Sequence, residues 1–218
     1  MRVLMVAPPG AGKGTQGAVI AAHFDIAHIA TGDLLRDHVA RRTELGLAVR
    51  HHLDNGDLVP DEIVLDMVRD AMVTAKERGG GYVLDGMPRN LAQARSLYRA
   101  AQTLGMTANV ALHLKADDDE LMRRLLARAA LEHRTDDTEP VIRRRLALYQ
   151  EATFPIVGWY AERGILVSVD AMQPVERVAR QILTALETMR PLLEYVPDHA
   201  RRPIDLTSLG AAFGVDVP

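Results

Sequence analysis

The sequence predicts an α/β fold built on a parallel β-sheet, and three observations support this prediction. An apolar run from Val3 to Val6 precedes a Gly-rich turn and a helix-compatible segment, Gln16 to Phe24, which is the order of a buried strand, a loop and a helix. Further short apolar segments, at 27–30, 82–85, 109–115 and 165–170, alternate with helical patterns. The 218 residues, 48% hydrophobic and 25% charged, suit one mid-sized globular domain with a sizeable core.

The composition argues against several classes of protein. The chain has no cysteine, so disulfides and cysteine zinc sites are excluded. Its net charge of −3 gives no reason to expect nucleic-acid binding. No apolar run approaches the ~20 residues that span a bilayer, and Met1-Arg2 leads straight into the first strand without a signal peptide. We expect a cytoplasmic monomer with no zinc, no nucleic-acid partner and no membrane association.

The turn after the first strand has the residues of a phosphate-binding loop. Glycines let the backbone wrap closely enough for several N–H groups to point at one anion, and the helix start adds partial positive charge. Lys13 adds a full charge. The pattern departs from the common P-loop, because Ala7 replaces its first glycine and Gly14 stands where Ser or Thr is usual. We predict that phosphate binds at Gly10, Ala11, Gly12, Lys13, Gly14 and Thr15.

Between the second and third strands the sequence predicts a small helical excursion, residues 31–59. Thr31 can cap a helix that runs through Arg36. A further helical run reaches His52 and ends in a turn at 54–57, which contains Asn and Gly. Pro60 then opens another helix, whose first-turn acids suit its positive end.

The third strand, 82–85, ends in an acid that faces the predicted ligand crevice. Ligands of open α/β sheets bind at the carboxyl ends of the strands, so Asp85 should face the phosphate loop. We predict that Asp85 holds magnesium through water, as the acid after an apolar strand does in P-loop proteins. A turn or helix-capping aspartate is the alternative.

The fourth strand is followed by an acidic run, 117–120, that could suggest a metal site. Asp117 and Glu120 have the spacing of a capping box, so we interpret the run as a helix start. This helix carries Arg124 and Arg128 on one face, where like charges repel unless an anion lies between them. We expect solvated surface positions for Arg123, Arg143 and Arg144.

After the fifth strand, an amphipathic helix is predicted from Val175 to Met189. No histidine is assigned a role. The segment 190–218 contains four prolines, which should stop this helix early, and too many apolar residues for a freely solvated tail. We expect it to pack on the core as a strap, with an interface to a partner or a second copy as the alternative.

With these residues in place, the chain resembles the adenylate kinase family from about residue 1 to 189. The short spacing between Arg128 and Arg134 matches the short-lid form of that family. The motifs that carry the resemblance are GAGKGTQ at 10–16, TGDLLR at 31–36, NGDLVPDE at 55–62, LDGMPRNLAQA at 84–94, RLLAR at 124–128, RTDD at 134–137, RRLALY at 144–149 and VDA at 169–171.

The resemblance implies a P-loop NTPase-like fold, with a five-stranded parallel sheet flanked by helices. It also implies a helical insert that binds the nucleoside monophosphate, at 30–59, and a short lid, at 128–137. The core would then comprise 1–29, 60–127 and 138–189, and 190–218 would be a C-terminal extension. The implied activity is reversible transfer of the γ-phosphoryl group of MgATP to AMP, giving two ADP, with Mg²⁺ as cofactor.

Carried over position by position, the resemblance also implies roles for individual residues. Facing ATP, besides the phosphate loop, would be Arg124 and Arg128, and Gln173 would lie in the loop that contacts the adenine of ATP through its backbone. Around AMP would be Thr31, Gly32, Arg36, Asp57, Leu58, Val59, Gly86, Met87, Pro88, Arg89, Gln93, Arg134 and Arg145. The catalytic set would be Lys13, Arg36, Arg89, Arg128, Arg134 and Arg145.

Three positions bear on which monophosphate is the acceptor. Gln93 lies where adenylate kinases place a glutamine whose amide matches N1 and N6 of adenine, and Thr31 also favours AMP. Asn90 is more typical of relatives that phosphorylate UMP or CMP. Two positions against one favour AMP, with a UMP/CMP kinase as the alternative.

Three residues depart from the family pattern. Met87 replaces a usual Phe, Ala171 replaces the Gly of VDG, and Ala7 replaces the first loop glycine. These departures indicate a divergent member, and they motivate a second alternative, a low-activity paralogue that binds adenylates without useful turnover.

Overall fold

A computed structural model describes residues 1–132 and 138–195 of the chain. Within these residues the chain forms a five-stranded parallel sheet in the order β2-β3-β1-β4-β5, which confirms the predicted fold class. The strands lie close to the predicted segments. They are β1 Arg2–Val6, β2 Ala27–Ala30, β3 Tyr82–Asp85, β4 Val110–Lys115 and β5 Leu166–Asp170.

Helices connect the strands and cover both faces of the sheet. In chain order they are α1 Lys13–Phe24, α2 Thr31–Ala40, α3 Glu44–Asn55, α4 Asp61–Glu77, α5 Leu91–Leu104, α6 Asp118–Glu132, α7 Glu139–Leu148, a π-helical turn Tyr149–Thr153 (the π segment), α8 Pro155–Ala161 and α9 Val175–Tyr195. None of the helices in the described ranges has both the length and the apolar character needed to cross a bilayer.

The core consists of two apolar layers, one on each face of the sheet. Successive side chains of a strand point to opposite faces, so Val3 and Met5 of β1 pack in one layer and Leu4 and Val6 in the other. All these side chains are buried, as expected for parallel strands covered on both faces. The strands therefore hold their carboxyl ends rigidly along one edge.

The register of the sheet determines which residues meet at that edge. Asp85 at the end of β3 lies opposite Met5 of β1 on one side and Ala30 of β2 on the other. The phosphate loop leaves β1 directly beside this carboxylate. The topology thus places the Gly-rich loop and the predicted magnesium residue next to each other.

Two helix boundaries differ from the predictions. Ala30, not Thr31, is the N-cap residue of α2, and no side chain caps the helix, because the Thr31 hydroxyl donates to the Asp85 carbonyl at 3.1 Å. The last helix continues past the predicted end at Met189 to Tyr195, with Pro191 inside it. Proline removes one helical N–H donor, and this loss does not end α9. Residues 196–218 of the expected strap lie outside the described residues.

Candidate active site

The phosphate loop between β1 and α1 depends on two glycines in the left-handed region. Gly10 has φ +84° and Gly12 has φ +89°, values that side chains rarely tolerate. A Cβ on Gly10 would also lie 2.9 Å from Cγ of Leu125. Gly12 is the N-cap of α1, and neither a capping side chain nor a first-turn acid competes for the helix's N–H groups. The N-terminus of α1 can therefore receive an anion.

The side chain of Lys13 lies over this loop. Its Nζ donates to the carbonyls of Ala7 and Pro8, both at 3.0 Å. The pKa of Lys13 is lowered to about 8, chiefly by burial; the Asp85 carboxylate opposes this shift, and the guanidinium groups of Arg89, Arg145 and Arg128 add to it. The ammonium group thus lies among like charges that a polyphosphate would neutralise.

Asp85 is the acidic group of this cluster, and its surroundings fit a magnesium ion held through water. A Cβ on Gly14 would lie 3.9 Å from Oδ2 of Asp85, so the carboxylate lies close to the start of α1. The described residues contain no group of three metal-ligating side chains. Magnesium keeps several waters and is usually bound by one or two carboxylates together with substrate phosphates, which is the donor set available here.

Arg89 lies at the centre of the arginine cluster. Its pKa is lowered to about 10 by burial and then by Arg145 and Arg36, while Asp85 raises it. Its Nε donates to the carbonyl of Gly86 at 2.8 Å. The electrostatic couplings of Lys13 and Arg89 show that the structure gathers most of the predicted catalytic set: Lys13, Arg36, Arg89, Arg128 and Arg145. Arg134, the remaining member, lies outside the described residues.

Two of the outer arginines are held by acids on their own helices. Arg36 forms an ion pair with Asp33, and a Cβ on Gly32 would lie 3.2 Å from the Arg36 guanidinium. Arg124 donates from Nε to Glu120 at 2.7 Å and from Nη1 to the Ala171 carbonyl at 3.0 Å. Arg124 is therefore held by a carboxylate and a backbone carbonyl, and an anion between Arg124 and Arg128 stays a prediction.

The acidic run before α6 is a helix start, as predicted. Asp117 Oδ1 accepts from the N–H groups of Asp119 and Glu120 at 3.0 and 3.4 Å. The Glu120 side chain binds Arg123 and Arg124. These hydrogen bonds hold the pKa of Glu120 at about 2. Only the aspartate half of the expected capping box therefore forms.

The turn after β3 packs tightly against the start of α2. Gly86 has φ +90°, and a Cβ there would overlap the Thr31 hydroxyl. The next two residues, Met87 and Pro88, are joined by a cis peptide bond.

The three residues that depart from the family pattern, Met87, Ala7 and Ala171, are all buried. None of the three removes a polar group from the site.

Gln93 lies beside Arg89 with its amide already oriented. Its Oε1 accepts from the Arg89 N–H at 2.6 Å, and its Nε2 donates to Asp61 at 2.7 Å. Asn90 caps α5 by accepting from the Gln93 N–H at 2.8 Å, and its amide also reaches Asp61. Asn90 therefore has a structural role, which weakens its value as an indicator of a pyrimidine acceptor.

The insert contacts the core at the end of α3. Gly56 caps α3 with φ +72°, and a Cβ there would lie 2.8 Å from Cγ1 of Val141 and 2.9 Å from Cγ of Arg145. Asp57, the next residue, forms an ion pair with Arg144. Leu58 and Val59 continue the same segment towards α4, and Val59 is buried. Arg144 is exposed, as expected, and its ion pair with Asp57 joins α7 to the segment after α3.

Gln173 follows β5 in the loop before α9. Its Nε2 donates to Oδ2 of Asp170 at 3.0 Å, and Asp170 also accepts from the Met172 N–H. The Gln173 side chain is thereby held within its own loop. Its backbone groups, which the resemblance assigns to the adenine, lie at the same carboxyl edge of the sheet as the phosphate loop.

Sequence reasoning missed Asp61 and Thr153. Asp61 orients Gln93 and Asn90, whereas the sequence indicates only an acid that suits the start of α4. Thr153, in the π segment, donates to the Arg89 carbonyl at 2.8 Å. A π-helical turn has no clear sequence signature, and a contact across 64 residues cannot be inferred from local spacing.

The parallel sheet, the glycine loop and the ring of cations around one carboxylate define a P-loop protein that handles phosphorylated nucleotides. The family model described as "Adenylate kinase" matches residues 5–165. The chain belongs to the adenylate kinase family.

Curated relatives cover most of the chain and nearly all of their own length. An adenylate kinase of Thermobifida fusca is 46% identical over 86% of this chain and 99% of its own. Adenylate kinases of Kocuria rhizophila and Thermus thermophilus are 46% and 44% identical, over 85% and 84% of this chain and 98% and 96% of theirs.

Proposed function

We propose that this protein is an ATP:AMP phosphotransferase, which reversibly transfers the γ-phosphoryl group of MgATP to AMP and yields two ADP. The observation that carries the proposal is the convergence of Lys13, Arg89, Arg128 and Arg145 beside Asp85. Phosphoryl transfer needs in-line positioning and positive charge over the moving group, and it needs no covalent nucleophile from the protein. The cluster supplies that charge.

On the donor side, the phosphate loop and Lys13 bind the ATP phosphates. The N–H groups at the start of α1 point at the anion, and the Lys13 ammonium neutralises part of its charge. Arg124 and Arg128 face ATP from α6. Asp85 is the residue that would hold magnesium through water, and the bound ion neutralises charge on the phosphates.

On the acceptor side, Arg36, Arg89 and Arg145 bind the phosphate of AMP. A guanidinium group can donate to two phosphate oxygens at once, which fixes orientation as well as charge. Gln93 recognises the adenine base of AMP. We propose that Arg134 approaches the transferring group when the lid closes, and that closure keeps water from taking the phosphoryl group.

The proposal is tested by a coupled assay with ATP and a panel of monophosphates: AMP, UMP, CMP and GMP. We expect ADP formation that depends on AMP and is far slower with the other three. The absence of AMP-dependent ADP formation, together with ATP binding seen by calorimetry, would indicate the non-catalytic paralogue instead. Faster turnover with UMP or CMP would indicate the pyrimidine alternative.

Gln93 provides a sharper test of the acceptor. Gln93→Asn shortens the side chain by one methylene. We therefore expect the variant to weaken the binding of AMP more than that of ATP, and to raise the relative rate with CMP or UMP. A site that loses its hydrogen-bond match leaves polar groups unpaired, which costs selectivity strongly. Initial rates across the same panel check this prediction. An unchanged AMP KM and an unchanged ranking of monophosphates would show that Gln93 does not read the base.

A further inference from the structure

The backbone of Arg89 is held from two sides by side chains distant from the phosphate loop. Its N–H donates to Oε1 of Gln93 at 2.6 Å, and its carbonyl accepts from the Thr153 hydroxyl at 2.8 Å. The Arg89 side chain is tied back to the Gly86 carbonyl through Nε. One residue of the turn after β3 thus has its N–H, its carbonyl and its guanidinium all engaged.

The π segment explains why Thr153 can reach Arg89. A threonine inside an α-helix commonly donates back to a carbonyl three or four residues earlier, as Thr103 does to Arg99 at 3.2 Å. In the π segment the Tyr149 carbonyl instead accepts the N–H of Phe154 at 2.8 Å. The extra residue in this turn directs the buried Thr153 hydroxyl across to the turn after β3.

Charge at the site makes this backbone contact relevant to the reaction. Arg89 lies close enough to Arg145 and Arg36 for their charges to disfavour its own. Asp85 offsets part of this repulsion, and the remainder, together with burial, opposes placing the guanidinium in the cluster when no phosphate is bound. Hydrogen bonds to the N–H and the carbonyl of Arg89 fix its backbone and so restrict its side chain. The conformational entropy of Arg89 is therefore already reduced before a phosphate binds.

We infer that Thr153 is a positioning residue for the monophosphate site: its hydroxyl holds the carbonyl of Arg89, and the π segment presents it. The inference rests on the proposed function, because it assigns Arg89 to the AMP phosphate. Thr153 itself touches no substrate. It acts through Arg89.

The test compares Thr153→Val, which keeps the shape and removes the hydroxyl, with Thr153→Ser, which keeps the hydroxyl. Losing one neutral hydrogen bond corresponds to a roughly fivefold to tenfold effect. We expect Thr153→Val to raise the KM for AMP by that factor and to leave the KM for ATP unchanged. Thr153→Ser should restore the wild-type KM. Thr103→Val, which removes a hydroxyl within α5, is the matched control and should change neither KM.

A double-mutant cycle separates positioning from general damage. In an Arg89→Ala background, Thr153→Val should raise the KM for AMP no further, because its effect passes through Arg89. Thermal unfolding of each variant is measured alongside. If Thr153→Val fails to fold, Thr153→Ala takes its place, and failure of both would make the hydroxyl structural and overturn the inference.

Two further results would overturn the inference while leaving the proposed function intact. One is a wild-type KM for AMP in Thr153→Val. The other is an equal rise of both KM values that Thr153→Ser does not repair. The proposed function itself fails in a different experiment, if the wild-type chain forms no ADP from ATP and AMP.

Discussion

Lys13 is the residue on which the donor half of the proposed site depends most. It lies at the first position of α1, and its Nζ is already directed over the loop by two backbone carbonyls. Those contacts use only main-chain atoms and would hold the ammonium in place before ATP binds. A preorganised charge of this kind stabilises the transition state without reorganisation during the reaction.

We therefore expect Lys13→Ala to lower kcat by roughly 10²- to 10³-fold, as removal of one preorganised electrostatic group does in other enzymes. Folding should be preserved, because the loop's glycines remain. Steady-state kinetics and a thermal melt check both parts. Lys76→Ala is the matched control, since Lys76 is exposed and donates to the Leu104 carbonyl. Near-normal turnover in a stable Lys13→Ala protein would contradict the assignment.

Among the secondary-structure elements, β4, β5 and the π segment meet at a buried histidine. Nε2 of His113 lies 3.1 Å from the Tyr149 hydroxyl, and Nδ1 lies 3.4 Å from the hydroxyl of Ser168. Burial, with a smaller effect of Lys115, lowers the pKa of His113 to about 4. Between about pH 4 and 6.5 the histidine is therefore mostly neutral in the folded protein and mostly protonated in an unfolded chain.

This difference predicts a loss of stability in acid. Below the unfolded pKa near 6.5 the unfolded state binds a proton that the folded state does not bind. The free energy of unfolding is therefore highest near pH 7 and falls as the pH drops towards 4. Between pH 7 and 5 the loss from this group is about 2 kcal/mol. Urea unfolding of wild type and His113→Gln at both pH values measures it.

His113→Gln should make the free energy of unfolding less dependent on pH over that range. His51→Gln is the control, because His51 is exposed and its replacement should leave the pH dependence unchanged. The same pH dependence in wild type and His113→Gln would show that His113 does not carry the effect.

The elements themselves were largely predictable, because apolar periodicity and capping residues are local signals. The strands and the starts of α4 and α6 lie at or near their predicted residues for this reason. The phosphate loop was predictable because its backbone conformation requires glycines, and these are visible in the local sequence. The partners of Arg89, Gln93 and Arg144 were not, since each lies on an element far away in the chain. The end of α9 was not predictable, because the helix continues through Pro191 to Tyr195 although proline usually favours a break.

At the scale of the whole molecule, the insert and the core meet where Gly56 touches α7. The absence of a Cβ at this position lets the turn approach Val141 and Arg145. Asp57 and Arg144 add an ion pair at the same place, worth less than about 1 kcal/mol at such an exposed site. The close approach of backbone to helix, more than the ion pair, sets the distance between the insert and Arg145.

Gly56→Ala should therefore raise the KM for AMP roughly tenfold, because a small displacement of a substrate-binding group is costly to catalysis. It should also lower stability, since alanine disfavours φ +72° by about 1–2 kcal/mol. Gly105→Ala is the control: Gly105 caps α5 with φ +67°, but a Cβ there meets nothing within 4 Å. Both variants should lose stability through the positive φ, Gly56→Ala the more because its Cβ also overlaps Val141 and Arg145, and only Gly56→Ala should raise the KM for AMP. Equal KM values for the two would contradict the proposed role of the contact.

The lowered pKa of Lys13 also has a consequence for covalent labelling. The chain has only three lysines, and at about pH 8 roughly half of the Lys13 side chains carry a neutral, nucleophilic amine, against less than about 1% for an ordinary lysine. Among the three lysines, an amine-directed acylating reagent used in small excess should therefore modify Lys13 first and inactivate the enzyme, and peptide mapping separates this label from that on the N-terminal amine, whose ordinary pKa is also near 8. Saturating ATP should protect the Lys13 amine, so that the labelled fraction reports directly on how much of the site is occupied.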